Sequence, residues 1–201
     1  WREQPGRKPI LLKGARQIGK TWAMEAFGAE CFDYCVKFDF DRQPELKSIF
    51  QITKSPDRLI KELSLYCEQP IIPGRTLIIF DEIQKYPQAR EAIKYLVADG
   101  RYDYIETGSL ISIKENVANI TIPSEERRIL MHPMDFEEFA WAMGEKELIE
   151  YIRKCFDEKQ PLEQGLHNKA MLLFRQYMIV GGMPKSIVAY IENNRDFAMA
   201  D

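Results

Sequence analysis

A single stretch near the start of the chain limits what it can become. Gly14-Ala15-Arg16-Gln17-Ile18-Gly19-Lys20-Thr21 reads G-x-x-x-x-G-K-T, the phosphate-loop pattern. A loop that wraps a polyphosphate with its own backbone N–H groups must keep side chains out of the way, and glycines at its ends allow that. In such a loop Lys20 brings a point charge to the β- and γ-phosphates, and Thr21 offers a hydroxyl to Mg²⁺. The helix that begins there turns its positive end toward the anion. The expected nucleotide-binding residues are therefore Gly14, Ala15, Arg16, Gln17, Ile18, Gly19, Lys20, Thr21 and Trp22. A chance glycine-rich turn is the bland alternative, and the context argues against it. Ile10-Leu11-Leu12 reads as a buried parallel strand, and Thr21 to Phe27 as a helix stopped near Gly28.

A second signal lies downstream. Thr76-Leu77-Ile78-Ile79-Phe80 is an apolar strand closed by Asp81-Glu82. An acidic pair at the end of such a strand reads as a Walker B motif. Asp81 is placed to hold the Mg²⁺ shell, and Glu82 to orient and deprotonate an attacking water. The alternative is an acidic cap for the next helix. Tyr102 to Glu106 reads as a further strand with Thr107-Gly108-Ser109 after its end. A polar side chain there is suited to sensing the γ-phosphate, Thr107 first and Ser109 second, against a plain glycine-centred turn.

Other segments complete an α/β pattern. Tyr34 to Phe40 alternates as a half-buried strand near a sheet edge. Ser55-Pro56-Asp57 starts a helix whose apolar face runs Leu59, Ile60, Leu63, Tyr66, Cys67, with Pro70, Pro73 and Gly74 ending it. Ala89, Ala92, Ile93, Leu96 and Val97 mark a crossover helix. Ile111 to Glu126 lacks periodicity and reads as a mobile loop over the nucleotide, and Arg128 to His132 as a fifth strand. Everything from Met134 onward reads as helical, with Gly181-Gly182-Met183-Pro184 as a helix stop and restart. The expected division is a P-loop core over 1–133 and a helical lid or linker over 134–201.

Composition excludes several classes. With net charge −3 over 201 residues there is no basic excess for a dedicated nucleic-acid surface. Four cysteines at 31, 35, 67 and 155 make no metal or redox spacing, which fits reduced thiols and a cytoplasmic location. His132 and His167 have no ligand-spaced partner. No apolar run is long enough to span a membrane, so no membrane partner is expected. The chain opens on Trp rather than Met and reads as a processed or trimmed piece.

Several motifs then occur in order: Gly-Ala-Arg-Gln-Ile-Gly-Lys-Thr, Leu-Ile-Ile-Phe-Asp-Glu-Ile-Gln, Thr-Gly-Ser-Leu, Pro-Met-Asp-Phe-Glu-Glu-Phe and Gly-Gly-Met-Pro. Together they resemble a prokaryotic family of AAA+-like P-loop ATPases, close to the archaeal and STAND-like groups. The resemblance implies a parallel five-stranded sheet of order 5-1-4-3-2 followed by a helical region. It also implies a nucleotide at the C-terminal ends of the strands, and a further C-terminal domain similar to PD-(D/E)XK nucleases beyond Asp201. It matches Gln84 to a family glutamine of no derived role and Arg16 to a loop arginine. Where the family has a Gly followed by a basic residue before the Pro-x-x-Phe stretch, this chain reads Pro-Ser-Glu-Glu-Arg-Arg, which leaves Arg127, Arg128 or neither in that part, with Arg128 carried as a catalytic residue.

The expected activity is Mg²⁺-dependent ATP binding and hydrolysis coupled to motion of the helical region. The rivals are a nucleotide-gated switch or scaffold with little turnover, and a small-molecule kinase. The Asp81-Glu82 pair favours a water nucleophile over a kinase acceptor. The cofactors are ATP and Mg²⁺. DNA, a protein partner and a homo-oligomer stay open.

Overall fold

A computed structural model describes residues 1–2, 8–109 and 126–193. In chain order the elements are β1 (Ile10–Gly14), α1 (Lys20–Cys31), β2 (Tyr34–Asp39), α2 (Leu46–Ile52), α3 (Pro56–Ser64), β3 (Thr76–Asp81), a 3₁₀ turn (Ile83–Lys85), α4 (Pro87–Asp99), β4 (Asp103–Ser109) and β5 (Arg127–Met131). Four helices follow: α5 (Phe136–Ala142), α6 (Lys146–Asp157), α7 (Gln164–Val180) and α8 (Pro184–Glu192).

The five strands form one sheet in the order β2-β3-β4-β1-β5, with every pairing parallel. This is the expected 5-1-4-3-2 order read from the opposite edge, and the α/β class stands. A parallel sheet is covered on both faces, which favours apolar runs in its central strands. β3 is buried along its whole length. On one face Phe38, Ile78, Phe80 and Tyr104 pack with residues of α2, α3 and α4. On the other, Leu12, Leu77, Ile79 and Ile105 pack with Met24 of α1. Each such side chain contributes about 1.5–3 kcal/mol on burial. Because the pairings are parallel, the C-terminal ends of β1, β3 and β4 lie at the same side of the sheet.

Several boundaries differ from the sequence reading. α1 does not stop at Gly28 but runs to Cys31. Gly28 serves packing instead, because a Cβ there would collide with the Cys35 sulfur on β2. α3 ends at Ser64, which leaves Tyr66 and Cys67 outside the helix, and Ser55 holds the N-cap position without a side-chain hydrogen bond. β4 does not end at Glu106. It continues through Thr107-Gly108-Ser109, because β1 supplies pairing partners in register at Leu12, Lys13 and Gly14. β5 begins and ends one residue earlier than expected. The expected loop over 111–126 lies outside the described residues except for Glu126.

The chain divides into two compact units, Trp1–Met131 and His132–Asp201. The second has its own core, in which Phe139, Ile149, Leu173, Ile187 and Tyr190 are buried. Its first helix opens on a capping box that the Asp-x-x-Glu spacing could have revealed. The Asp135 carboxylate accepts from the Glu138 N–H, and the Glu138 carboxylate from the Asp135 N–H. Gly181 caps α7 at φ 76° and α8 restarts at Pro184, as expected. Among the described residues no helix is long and apolar enough to cross a membrane.

Candidate nucleotide-binding site

β1 ends at Gly14, and the loop to α1 is curled by two left-handed residues, Gln17 at φ 63° and Gly19 at φ 90°. At Gly19 that conformation is free of steric cost, whereas Gln17 bears about 1–2 kcal/mol. Ile18 is buried and anchors the loop, while Ala15, Arg16 and Gln17 are exposed. Trp22 stands in the first turn of α1 with its side chain largely in solvent.

Lys20 is the first residue of α1, yet its side chain is buried. Its ammonium folds back over the loop and donates to the carbonyls of Ala15 (2.6 Å) and Gly14 (3.3 Å). Burial lowers its pKa below the ordinary lysine value. The charges of Glu82 and Asp81 oppose that shift, and Arg16 adds to it. A buried cation at a helix N-terminus whose ammonium donates to neutral carbonyls is chemically suited to an anion.

The acidic pair meets this loop. The Thr21 hydroxyl donates to Asp81 Oδ2 at 2.9 Å, across 60 residues of sequence. Asp81 Oδ1 accepts from the Thr107 hydroxyl, and that hydroxyl in turn accepts the Glu82 N–H at 2.9 Å. Thr107 is fully buried, and both hydrogen-bonding directions of its oxygen are used on the pair. Ser109 is the last residue of β4.

Glu82 itself sits at φ 55°, left-handed for a residue with a Cβ, at a cost of order 1–3 kcal/mol. Three contacts over-determine it. Thr107 takes its N–H, its carbonyl accepts from Lys85 N–H at 2.9 Å, and its Oε2 accepts from the Gln84 side-chain amide. Glu82 precedes the 3₁₀ turn without any side-chain capping bond, so the capping alternative has no contact behind it.

Sequence reasoning missed a second buried cluster on the opposite face of the sheet. Glu106 on β4 registers with Phe80 and Leu11, and is fully buried. Burial pushes its carboxyl up to about 8, the neighbouring Glu126 adds to the rise and Arg90 opposes it. Arg90 of α4 donates to both Glu126 oxygens, at 2.9 and 3.2 Å, with both side chains sealed from solvent. Arg128 registers with Leu11 and therefore stands on this same face, with its ion pair to Glu126 at 3.6 Å. The signal available was a glutamate on a strand that lies between the apolar strands β1 and β3. Gln84 was visible in the sequence too, but without a role.

All four cysteines are free thiols. Burial pushes Cys67 up to about 11, so it is a poor nucleophile at neutral pH. Among the described residues no three His, Cys, Asp or Glu side chains are gathered to cage a metal ion.

With this geometry in hand, the family comparison is decisive: a model described as an AAA domain matches residues 6–140. The chain belongs to that AAA-type P-loop ATPase family. Comparison with curated proteins gave no match. Among solved structures, Drosophila ORC bound to DNA is similar at 13% identity and TM-score 0.56, covering 94% of this chain and 56% of that one. Caenorhabditis elegans PCH-2 is similar at 12% identity and TM-score 0.44, covering 92% and 55%. Aeropyrum pernix ORC1 in complex with DNA is similar at 11% identity and TM-score 0.41, covering 89% and 62%. The chain thus spans 55–62% of the length of these chains, and at 13% identity the first shares its fold alone.

Proposed function

We propose that this AAA domain binds ATP with Mg²⁺ and hydrolyses it to ADP and phosphate. The observation that carries the proposal is the Thr21–Asp81 hydrogen bond, which brings the loop hydroxyl and the strand-end carboxylate to 2.9 Å. Hard oxygen donors, few in number and next to a phosphate cradle, suit Mg²⁺, which keeps several waters and takes one or two protein oxygens. Thr21 and Asp81 would hold that ion, and its chemistry there is neutralising charge on the phosphate oxygens.

The chain's own residues do the rest. The loop N–H groups from Ala15 to Thr21 receive the phosphates, and the Lys20 ammonium exchanges its carbonyl contacts for phosphate oxygens. Glu82 takes a proton from the attacking water. Thr107 ties Asp81 to Glu82 so that ion and base keep a common frame, a part that its spent hydroxyl supports better than direct contact with phosphate. Arg128 is paired with Glu126 on the other face, so we place the charge-stabilising arginine on a neighbouring subunit and expect slow turnover by the isolated chain. The separate core of the helical unit suits a body that moves as a whole with nucleotide state, from about residue 134. Four free thiols fit a cytoplasmic setting. A homo-oligomer, and DNA or protein engaged through a further domain, complete the proposal.

Glu82→Gln tests it. Nucleotide affinity should stay, and phosphate release without any acceptor should fall about 10²- to 10⁴-fold. That corresponds to roughly 3–5 kcal/mol of barrier. Wild-type turnover in this variant would overturn the hydrolytic reading and favour a switch. Acceptor-dependent transfer would favour a kinase.

A further inference from the structure

We infer that Gln84 is a positioning residue for hydrolysis, acting through Glu82; the inference rests on the function proposed above. A base that must take a proton from water needs one carboxylate oxygen turned to that water at a settled angle. The terminal torsion of a glutamate is broad and does not settle it. Here the Gln84 amide donates to Glu82 Oε2. One oxygen is thereby occupied, the carboxylate plane is set, and Oε1 is left for the water.

The surroundings make this contact more than incidental. Gln84 is almost wholly buried, so its amide is not a mobile surface group. It lies in the short 3₁₀ turn Ile83–Lys85, whose first carbonyl acceptor is Glu82 itself. The turn flanks Gln84 with Ile83, fully buried in the core, and is followed by Tyr86, also buried there. The turn therefore carries the amide as a fixed offset from Glu82. The left-handed backbone at Glu82 is what reverses the chain sharply enough to bring a side chain two residues later back onto the carboxylate. Thr107 holds the N–H end of Glu82 and Gln84 holds its carboxylate end. A donor is needed at this position: an acceptor or an apolar group of the same length fills the space without orienting the base.

The test is a mutant cycle on ATP hydrolysis with the folded chain. Gln84→Met keeps length and removes the donor. It should lower kcat roughly 10- to 100-fold, the usual effect of losing a group that orients a reacting one, with KM for ATP within about twofold. In a Glu82→Gln background the same change should lower kcat no further, because a group acting only through the base has nothing left to orient. Gln84→Leu, which also lacks the donor, should reproduce the loss and serves where Gln84→Met does not fold. An unchanged kcat, a KM effect alone, or a full additional loss on top of Glu82→Gln would overturn the inference. Those failures are distinct from failure of the proposed function, which shows as wild-type turnover by Glu82→Gln itself and removes the inference along with it.

Discussion

Glu106 provides a quantitative check on the fold. Its carboxyl is fully buried and pushed from an ordinary 4.5 up to about 8, first by burial and then by Glu126. Neither of its oxygens has a hydrogen-bond partner among the described residues. At pH 7 it is therefore neutral in the folded chain and ionised in the unfolded one. The folded state binds more protons between these two values, so stability falls as pH rises through that window and levels off above about 8. Each full pH unit within the window costs about 1.4 kcal/mol. Glu106 should accordingly remove roughly 2–3 kcal/mol of stability between pH 5 and pH 7. Glu106→Gln keeps the shape and cannot ionise. The variant should be close to wild type at pH 5 and more stable by about that amount at pH 7, which is roughly 5–10 °C in melting temperature for a chain of this size. Urea denaturation followed by far-ultraviolet circular dichroism at pH 5, 6 and 7 measures the difference. A gap between the two proteins that does not change with pH would refute the reasoning. Glu106 would then be either ionised in the fold or reached by water.

Two further outcomes follow from the site. Lys20→Ala removes the buried ammonium that the loop carbonyls hold, and calorimetric titration with an ATP analogue and Mg²⁺ should show no binding; undiminished affinity would take Lys20 out of the site. Thr107→Val keeps the shape but strands Asp81 Oδ1 and the Glu82 N–H in a buried setting, which should cost about 1–3 kcal/mol in stability and reduce phosphate release, while Thr107→Ser restores both.

Much of this AAA domain is legible in its residues because the signals are local. Glycines that allow a curled loop, the apolar runs of β1 and β3, the carboxylates that close β3 and the helix-only pattern after β5 each act within a few positions, and backbone preference and hydropathy read out at that range. The strand order was also available, through the set of motifs rather than from any one. The length of β4 was not, since a strand extends as far as its neighbour offers partners, and β1 carries it through Ser109. Gly28 looks like a helix stop in sequence and is a point of contact between α1 and Cys35 in space. Gln84 has meaning only once a left-handed Glu82 turns the chain back on itself. Arg90, Glu106 and Glu126 read singly as solvated charges, and become one sealed cluster because α4, β4 and the approach to β5 converge on the same face. Burial decides how a charged group behaves, and burial belongs to the assembled layers: only the tertiary structure could make Glu106 an acid that stays protonated at neutral pH.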